Sequence, residues 1–402
     1  MKALIKKTFG FARMIFSTNR PVIGIPFNYD EGWIGGTYYI KNLISSLNLL
    51  PESERPDVWM ISQEEKSFKF ICETTNYSRL KWLRPAMLNG TYDGVSRKIR
   101  LLSRFTPWLL KTKINFDMIY PSPFDNSWCQ TACWIPDFQD KHLPEFFSAD
   151  ELLLRERQHR SYFENFKHLV FSSNAARVDF NNFYPEANVK QHVVRFAVFE
   201  AEPDMDNYID VLRKYDLLVR FFYCPNQFWI HKNHDVVISA VALLKSRGIE
   251  ATVVFSGKEH DHRAPEYTAR LKARVVSEGL EGNIRFLGFI PRDDQMVIFR
   301  KAISIIQPSL FEGWSTVIED AKSVSQYVLA SRIPANVEQA DTNIEYFDPT
   351  DPVALAELMS PLVEHDPVRQ IVDYRSHQLG FAQSFMSVVK TIMNSDLKSK
   401  SR

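Results

Sequence analysis

The segment QPSLFEGWSTVIEDAKS, residues 307–323, contains residue types that could bind a sugar beside a phosphate. Glu312 and Gly313 follow an apolar, strand-like run, and Ser315 is a typical N-cap residue for the helical pattern TVIEDAK. The first amide groups of a helix have no intrahelical partner and attract anions, so this position suits a phosphate. Because a carboxylate repels phosphate, we expect Glu312 to accept hydrogen bonds from sugar hydroxyls next to it.

A second carboxylate, Asp320, lies one helical turn after Thr316 on the same face of the predicted helix. Glu312 and Asp320 could hold the sugar and the ribose of one nucleotide-sugar ligand, respectively. The alternative is that Glu312 only stabilises the positive end of the helix dipole and that Asp320 is a solvated surface charge.

Lys232, in the segment CPNQFWIHKNHDVVISAVALL, is the candidate cation for the same ligand. It lies between a buried strand pattern and a helix, where a lysine can neutralise a diphosphate as a point charge and Gln227 can donate from the same loop. In a parallel sheet such loops open into one crevice at the carboxyl ends of the strands. The alternative is an ordinary surface lysine.

The elements that must position these residues follow an alternating order. Short apolar runs with strand character are separated by segments with helical spacing, which favours parallel sheets covered by helices on both faces. The runs are PVIGIPFN, PDVWMIS, FDMIYPS, TACWIP, HLVFSS and VKQHVVRF in the first half, and RFFYCPNQ, ATVVFSG, IRFLGF, AISIIQPS and YVLASRIP in the second.

Two domains are expected, because 402 residues exceed the size at which one hydrophobic core keeps growing. The apolar pattern lapses over residues 199–216, where acidic residues gather as in a linker. We therefore predict an α/β protein with two doubly wound, Rossmann-like domains. The predicted boundaries are 1–205 for the acceptor-binding domain, 206–375 for the nucleotide-sugar-binding domain and 376–402 for a C-terminal helix that crosses back to the first domain.

Four segments, NQFWIHKNH, IRFLGFIPRDD, FEGWSTVIEDAKS and YVLASRIPANVEQ, occur here in this order. Together they resemble the donor-binding half of retaining glycosyltransferases of family 4, which have the GT-B fold of two facing Rossmann-like domains. GWIGGTYYIKNL and WIPDFQDKHLPEFFS are similar to N-terminal halves of the same family. The resemblance implies a nucleoside-diphosphate sugar as donor, no metal, and same-face attack in which the leaving phosphate takes the acceptor's proton.

The resemblance also assigns roles by position. Glu312 matches the acid that faces the transferred sugar, and Asp320 matches the acid that binds the ribose, which is normally a glutamate. Lys232 matches the lysine that binds the diphosphate, whereas Gln227 stands where an arginine is usual. Asp137 and His142 could face the acceptor or the sugar, and Arg195 could approach the donor; structural roles are the alternative for all three. The candidate catalytic residues are Glu312, Lys232 and Asp137, and the candidate donor-binding residues are Gly35, Gly36, Gln227, Lys232, Gly313, Trp314, Ser315, Thr316 and Asp320.

The formal net charge of +1 argues against nucleic-acid binding by the whole surface. One basic stretch, residues 79–113, carries nine Lys and Arg residues against the single acid Asp93, interleaved with apolar residues. It could be a solvated helix face, or a surface that meets anionic lipid or a lipid-linked phosphate. No run reaches the roughly 20 apolar residues of a membrane-spanning helix, so we expect a cytoplasmic protein that contacts the plasma membrane peripherally.

The sequence thus predicts a retaining transferase that moves a hexose-type sugar to a growing, lipid-linked glycan in surface polysaccharide biosynthesis. The alternatives are a non-catalytic sugar-nucleotide-binding partner of an active transferase, and a GT-B epimerase or phosphorylase. Neither DMD at 204–206 nor KEHDHR at 258–263 predicts a metal site, because the first lies in the linker and the second lacks a distant ligand. The glycines near residue 35 do not form a dinucleotide fingerprint, which argues against a dehydrogenase.

Overall fold

A computed structural model describes residues 20–30, 34–84, 116–122, 130–199, 205–217 and 219–400. All strand pairings among the named strands are parallel, and helices connect most successive strands along the described chain, so the architecture is α/β as predicted. Apolar residues of the predicted strand runs and of the covering helices together form the core, because a parallel sheet with helices on both faces buries both sides of each strand.

The first half of the chain forms two strand groups of order β3-β2-β1-β4 and β5-β6-β7, joined by one parallel bridge between Ile119 and Thr131. The strands are β1 (Val22–Pro26), β2 (Asp57–Ile61), β3 (Leu80–Leu83), β4 (Met118–Ile119), β5 (Ala132–Ile135), β6 (His168–Phe171) and β7 (Lys190–Val193). The helices are α1 (Ile34–Leu47), α2 (Glu65–Thr75), α3 (Gln139–His142), α4 (Ala149–Asn165) and α5 (Asn174–Phe183).

The second half forms a six-stranded sheet of order β10-β9-β8-β11-β12-β13. The strands are β8 (Phe222–Cys224), β9 (Val253–Phe255), β10 (Ile284–Phe286), β11 (Ile305–Gln307), β12 (Val328–Ser331) and β13 (Ile344–Phe347). The helices are α6 (Tyr208–Lys214), α7 (His234–Ser246), α8 (Tyr267–Ser277), α9 (Arg292–Lys301), α10 (Thr316–Ser323), α11 (Pro334–Gln339), α12 (Pro352–Glu364) and α13 (Tyr374–Lys400). Separate apolar clusters cover the two faces of this sheet.

Helix α13 packs against α1, and its residues Phe381, Phe385 and Val389 belong to the apolar cluster of the first sheet. Tyr374, at the start of α13, links the two halves: its hydroxyl accepts a hydrogen bond from Val198 N at 2.8 Å and donates one to Glu319 Oε2 at 2.6 Å. Residues 200–204 lie outside the described residues, so the domain boundary at 205 stays a prediction.

The structure corrects three local predictions. Strands β3 and β13 did not follow from the apolar pattern. The segment YDEGWIGG is predicted to be a loop before a helix over TYYIKNLISSLNLL, but α1 begins at Ile34, so Gly35 lies in its first turn. In the basic stretch, residues 80–83 form a strand, so the helix-face interpretation is wrong there. Arg79 and Lys81, near the start of this stretch, are ion-paired with acids: Arg79 with Glu52 in the turn before β2, and both with Asp57 of β2. Residues 85–113 lie outside the described residues.

Candidate functional site

Lys232 and Glu312 form an ion pair at the carboxyl edge of the second sheet. Lys232 Nζ lies 2.5 Å from Glu312 Oε1, and the two side chains are 16% and 10% exposed. The interpretation of Lys232 as an ordinary surface lysine is therefore wrong. Glu312 also accepts a hydrogen bond from Gln307 Nε2 at 2.8 Å, so its carboxylate is bound on one oxygen by both a cation and an amide.

The order of the strands brings this pair together. Strands β8 and β11 are neighbours in the sheet, so the loops that follow them start side by side. Lys232 ends a 3-10 turn over Ile230–Lys232, and Leu310 N donates to His231 O at 2.8 Å across the two loops. Asn233 has a positive φ of 56° and donates through Nδ2 to Pro308 O at 3.1 Å. These bonds hold the Lys232 turn against the loop that carries Glu312.

Gly313 brings this loop into contact with the loop after β5 of the first sheet. A Cβ atom on Gly313 would lie 2.5 Å from Pro136 O and 2.7 Å from Asp137 Cβ. Only a residue without a side chain fits between these groups. Asp137, from the first half of the chain, consequently lies against the loop that carries Glu312.

The environment of Asp137 favours its neutral form. Desolvation in the cleft is the largest cause and raises the pKa of Asp137, and the negative charges of Asp140 and Glu312 add to the rise. The Gln139 N–H, which donates to Asp137 Oδ1 at 3.0 Å, and the Arg155 charge act in the opposite direction. A carboxyl with a raised pKa in a cleft is typical of functional sites, although structural networks also produce it.

We expect Asp137→Asn to raise the free energy of unfolding at pH 7. Because the folded-state pKa of Asp137 lies above its unfolded value, ionisation costs stability as pH rises from the unfolded pKa through the folded one. Asn keeps the Oδ1 acceptor for Gln139 N and removes this cost. Urea unfolding between pH 3.5 and 8 measures the difference, with the exposed Asp150→Asn as control, expected to stay within about 0.5 kcal/mol of wild type. If the difference in the free energy of unfolding between Asp137→Asn and wild type were constant across this pH range, the raised pKa of Asp137 would be contradicted.

His142 and Arg195 both lie at contacts between the two halves. The ring of His142 stacks on Phe311, the neighbour of Glu312, with centroids 5.0 Å apart, and its Nε2 is 2.8 Å from Asp179 Oδ2. Arg195 pairs with Glu338 of α11 at 2.8 Å. The carboxylate of Glu338 also accepts the amides at the start of α5, at 2.8 and 2.9 Å. Sequence reasoning missed Glu338 and Phe311.

Asp320 is buried and ion-paired. Its side chain is 4% exposed, and Oδ1 accepts from Arg292 Nη2 at 2.6 Å. The interpretation of Asp320 as a solvated surface charge is therefore wrong. Arg292 is the first residue of α9, and the charge pattern there gave no signal for a partner 28 residues away.

The residues after Gly313 differ in what they offer to a ligand. Ser315 is the N-cap of α10, as predicted, but its own amide donates to Gln339 Oε1 at 2.9 Å. Its N–H is therefore already used, whereas Thr316 is exposed at the first position of the helix. The indole of Trp314 donates to Phe196 O at 3.1 Å and lines a cavity of about 400 Å³ beside α13.

Gln227, Gly35 and Gly36 complete the candidate residues. Gln227 is half-buried, three residues before the Lys232 turn begins, and its backbone carbonyl accepts from Trp229 N at 2.8 Å. Gly35 is exposed, and a Cβ placed on it would meet open space, so its surroundings leave room for a ligand. Over the described residues, no group of three or more His, Cys, Asp and Glu is arranged as a metal site. No described helix is long and apolar enough to cross a membrane.

Residues 219–378 match the family described as glycosyl transferases group 1. Among curated proteins, a D-inositol 3-phosphate glycosyltransferase of Corynebacterium efficiens is 28% identical over 34% of this chain and 33% of its own length. An O-antigen chain mannosyltransferase B of Escherichia coli is 29% identical over 28% of each chain. The matches thus span about a third of these curated relatives.

The solved structures extend the likeness to nearly the whole chain. The Anabaena protein Alr3699/HepE, solved in complex with UDP and glucose, has a TM-score of 0.59 and 14% identity, with 95% of this chain and all of that chain covered. At this identity the likeness concerns the fold alone. The chain therefore has the GT-B fold, and its second half carries the sequence signature of glycosyl transferases group 1.

Proposed function

We propose that the protein is a retaining glycosyltransferase that moves a hexose-type sugar from a nucleoside-diphosphate sugar to a growing glycan. The observation that carries the proposal is the ion pair of Lys232 and Glu312 at the carboxyl ends of β8 and β11, with Asp137 of the first half packed against the same loop at Gly313. The family match over residues 219–378 and the names of the relatives support a sugar transferase. The UDP and glucose bound to the Anabaena neighbour support a nucleotide-sugar donor.

In this proposal each residue acts where charge develops. The bond between the sugar's anomeric carbon and the diphosphate oxygen breaks, and the acceptor oxygen forms a bond to the same face of that carbon. Lys232 stabilises the departing diphosphate, which a preorganised cation does best in a partly desolvated cleft. Gln227 and the amides that follow Gly313 donate to it, and the acceptor's proton passes to the leaving phosphate oxygen.

Glu312 then holds hydroxyls of the transferred sugar, and Asp137 faces the sugar or the acceptor from the first sheet. The ion pair with Lys232 fixes the position of the Glu312 carboxylate. The Glu312 side chain is only 10% exposed, so a sugar that binds to it displaces little water. Asp320 is the proposed partner of the donor ribose, with Arg292 held beside it. No metal is proposed.

The acceptor is proposed to be lipid-linked and to belong to surface polysaccharide biosynthesis, with the enzyme on the cytoplasmic side of the membrane. The O-antigen relative supports the polysaccharide class. Contact with the membrane depends on residues 85–113 of the basic stretch, which lie outside the described residues. Of the described cations, Arg79 and Lys81 are ion-paired with Glu52 and Asp57, whereas Arg84 is exposed and its guanidinium lies over the Trp82 ring.

A sugar-nucleotide-binding partner without activity is the second candidate. Two observations favour this candidate. The Asp320 carboxylate already accepts a hydrogen bond from Arg292, and Gln227 adds no positive charge near the leaving group, so both residues offer less to a bound donor. Incubation of the protein with a panel of UDP-, GDP- and ADP-sugars, with and without a membrane-lipid extract as acceptor source, decides between them. Release of the nucleoside diphosphate is expected for the transferase. Nucleotide binding in thermal shift without release in any reaction would favour the binding module.

A further inference from the structure

The loop between β9 and α8 packs directly against the turn that carries Lys232. Gly257 has a φ of 149°, and a Cβ on it would overlap the backbone of Asn226 and Gln227. This close approach allows Phe228 N to donate to Lys258 O at 3.1 Å. The two loops therefore form one layer at the edge of the cleft.

Asp261 fixes the register between these loops. Asp261 is only 2% exposed. Its two carboxylate oxygens accept hydrogen bonds from Ile230 N at 3.1 Å and from Arg263 N at 3.0 Å. Ile230 begins the turn that ends at Lys232. The Arg263 backbone is thereby held next to the turn that ends at Lys232, the candidate diphosphate-binding lysine.

The side chain of Arg263 lies between the two halves of the protein and has no ion-pair partner among the described residues. Its guanidinium is 4.5 Å from the ring centroid of Phe147, in the first half, and 5.4 Å from that of Trp229, in the second. Its Nε is buried without a hydrogen-bond partner, and no carboxylate lies within ion-pair distance of it in the part of the chain that the structure describes. Burial is the largest cause that lowers the pKa of this guanidinium, and the Arg155 charge adds to it, whereas the carboxylates of Asp261, Glu151 and Asp137 act in the opposite direction.

The other charges of the cleft leave an anionic ligand undercompensated. The charge of Lys232 is already paired with Glu312, and Gln227 is neutral. Asp137, on the opposite side, would repel a diphosphate whenever it is ionised. A second cation is therefore needed close to Lys232, and a guanidinium suits phosphate because it can donate two parallel hydrogen bonds.

We propose that Arg263 is this second cation and binds the departing diphosphate together with Lys232, in place of a charged residue at position 227. The inference rests on the proposed donor class and goes beyond it by assigning the missing charge to the loop after β9. Asp261 is then a positioning residue, which holds the Arg263 backbone without contacting the ligand.

The test is calorimetric titration with inorganic pyrophosphate, which needs no knowledge of the base, and with UDP, GDP and ADP. Arg263→Gln is expected to weaken binding of pyrophosphate and of the best nucleoside diphosphate by about tenfold or more, as loss of a charge-assisted hydrogen bond implies. Binding of the matching nucleoside, measured by thermal shift, should not change. Arg263→Lys keeps the charge but not the two parallel hydrogen bonds, so its affinity should lie between those of wild type and Arg263→Gln. Arg247→Gln, which removes a charge from an exposed position of the same half, is the matched control.

Equal pyrophosphate and nucleoside diphosphate affinities for wild type and Arg263→Gln would overturn the proposal while leaving the donor class intact. Equal losses for the nucleoside and the diphosphate would also overturn it, because they would show a structural role at the contact with Phe147. A loss seen only in the Michaelis constant for the acceptor would assign the guanidinium to an anionic group of the acceptor instead. Absence of nucleotide binding by wild-type protein would remove the proposed function together with this inference.

Discussion

Replacing Lys232 with Met should lower donor turnover by about 10²- to 10³-fold, the effect expected when one preorganised group that stabilises developing charge is removed. The same change leaves the carboxylate of Glu312, which is 10% exposed, with the Gln307 amide and no cation. An uncompensated, mostly buried acceptor of this kind costs about 1–3 kcal/mol in the free energy of unfolding. A loss of activity in this variant alone could therefore reflect a local collapse of the site.

The double variant Lys232→Met with Glu312→Gln separates the two effects. With both charges gone, most of the lost stability should return, because neither partner remains buried without compensation. Turnover should stay low, since neither the diphosphate nor the sugar hydroxyls regain their partner. Urea unfolding and single-turnover assays measure both quantities across the four proteins of the cycle.

The matched control is the surface pair of Lys69 and Glu65, which are 61% and 52% exposed. Lys69→Met with Glu65→Gln makes the same chemical change and should alter stability by less than about 1 kcal/mol and turnover not at all. Recovery of turnover in the double variant of the cleft pair would show that Lys232 and Glu312 only support the loops.

Gly313→Ala should lower turnover by about 10²-fold through a different cause. The added Cβ would lie 2.5 Å from Pro136 O and 2.7 Å from Asp137 Cβ, so the loop after β11 must move away from the loop after β5. Pro136 contributes backbone at this contact, which cannot turn aside as a flexible side chain would. A displacement of about 1 Å at reacting groups is enough for such a loss.

The control for Gly313 is Gly282→Ala, at a glycine where a Cβ would meet open space. It should stay close to wild type in turnover and in thermal midpoint. Gly313→Val should be worse than Gly313→Ala in both measurements, because the two extra methyl groups enlarge the overlap and overpacking costs about 1–3 kcal/mol. Normal turnover in Gly313→Ala would mean that the two loops can separate without harm, and the cleft would lose Asp137 as a proposed participant.

The two strands that the apolar pattern did not predict share a physical reason. Strands β3 and β13 lie at the edges of their sheets. An edge strand has one neighbour and tolerates charge, and these two carry Lys81 and Glu345. The central strands β8 and β11 are buried on both sides, so their runs of apolar residues identified them directly.

Sequence alone determined the local order of this protein: the alternating strands and helices, the N-cap at Ser315, and the positions of Lys232 and Glu312 just after strand ends. Each of these features follows from a pattern that spans a few residues. Because the strands are parallel, the loops that carry Lys232 and Glu312 then lie on the same edge of the sheet. Only the tertiary structure decided the approach of Gly313 to Asp137, the pairing of Asp320 with Arg292, and the placement of the Arg263 guanidinium over the Phe147 and Trp229 rings. Each of these depends on atoms from distant segments meeting within a few ångströms, and no short-range pattern records which loops will meet.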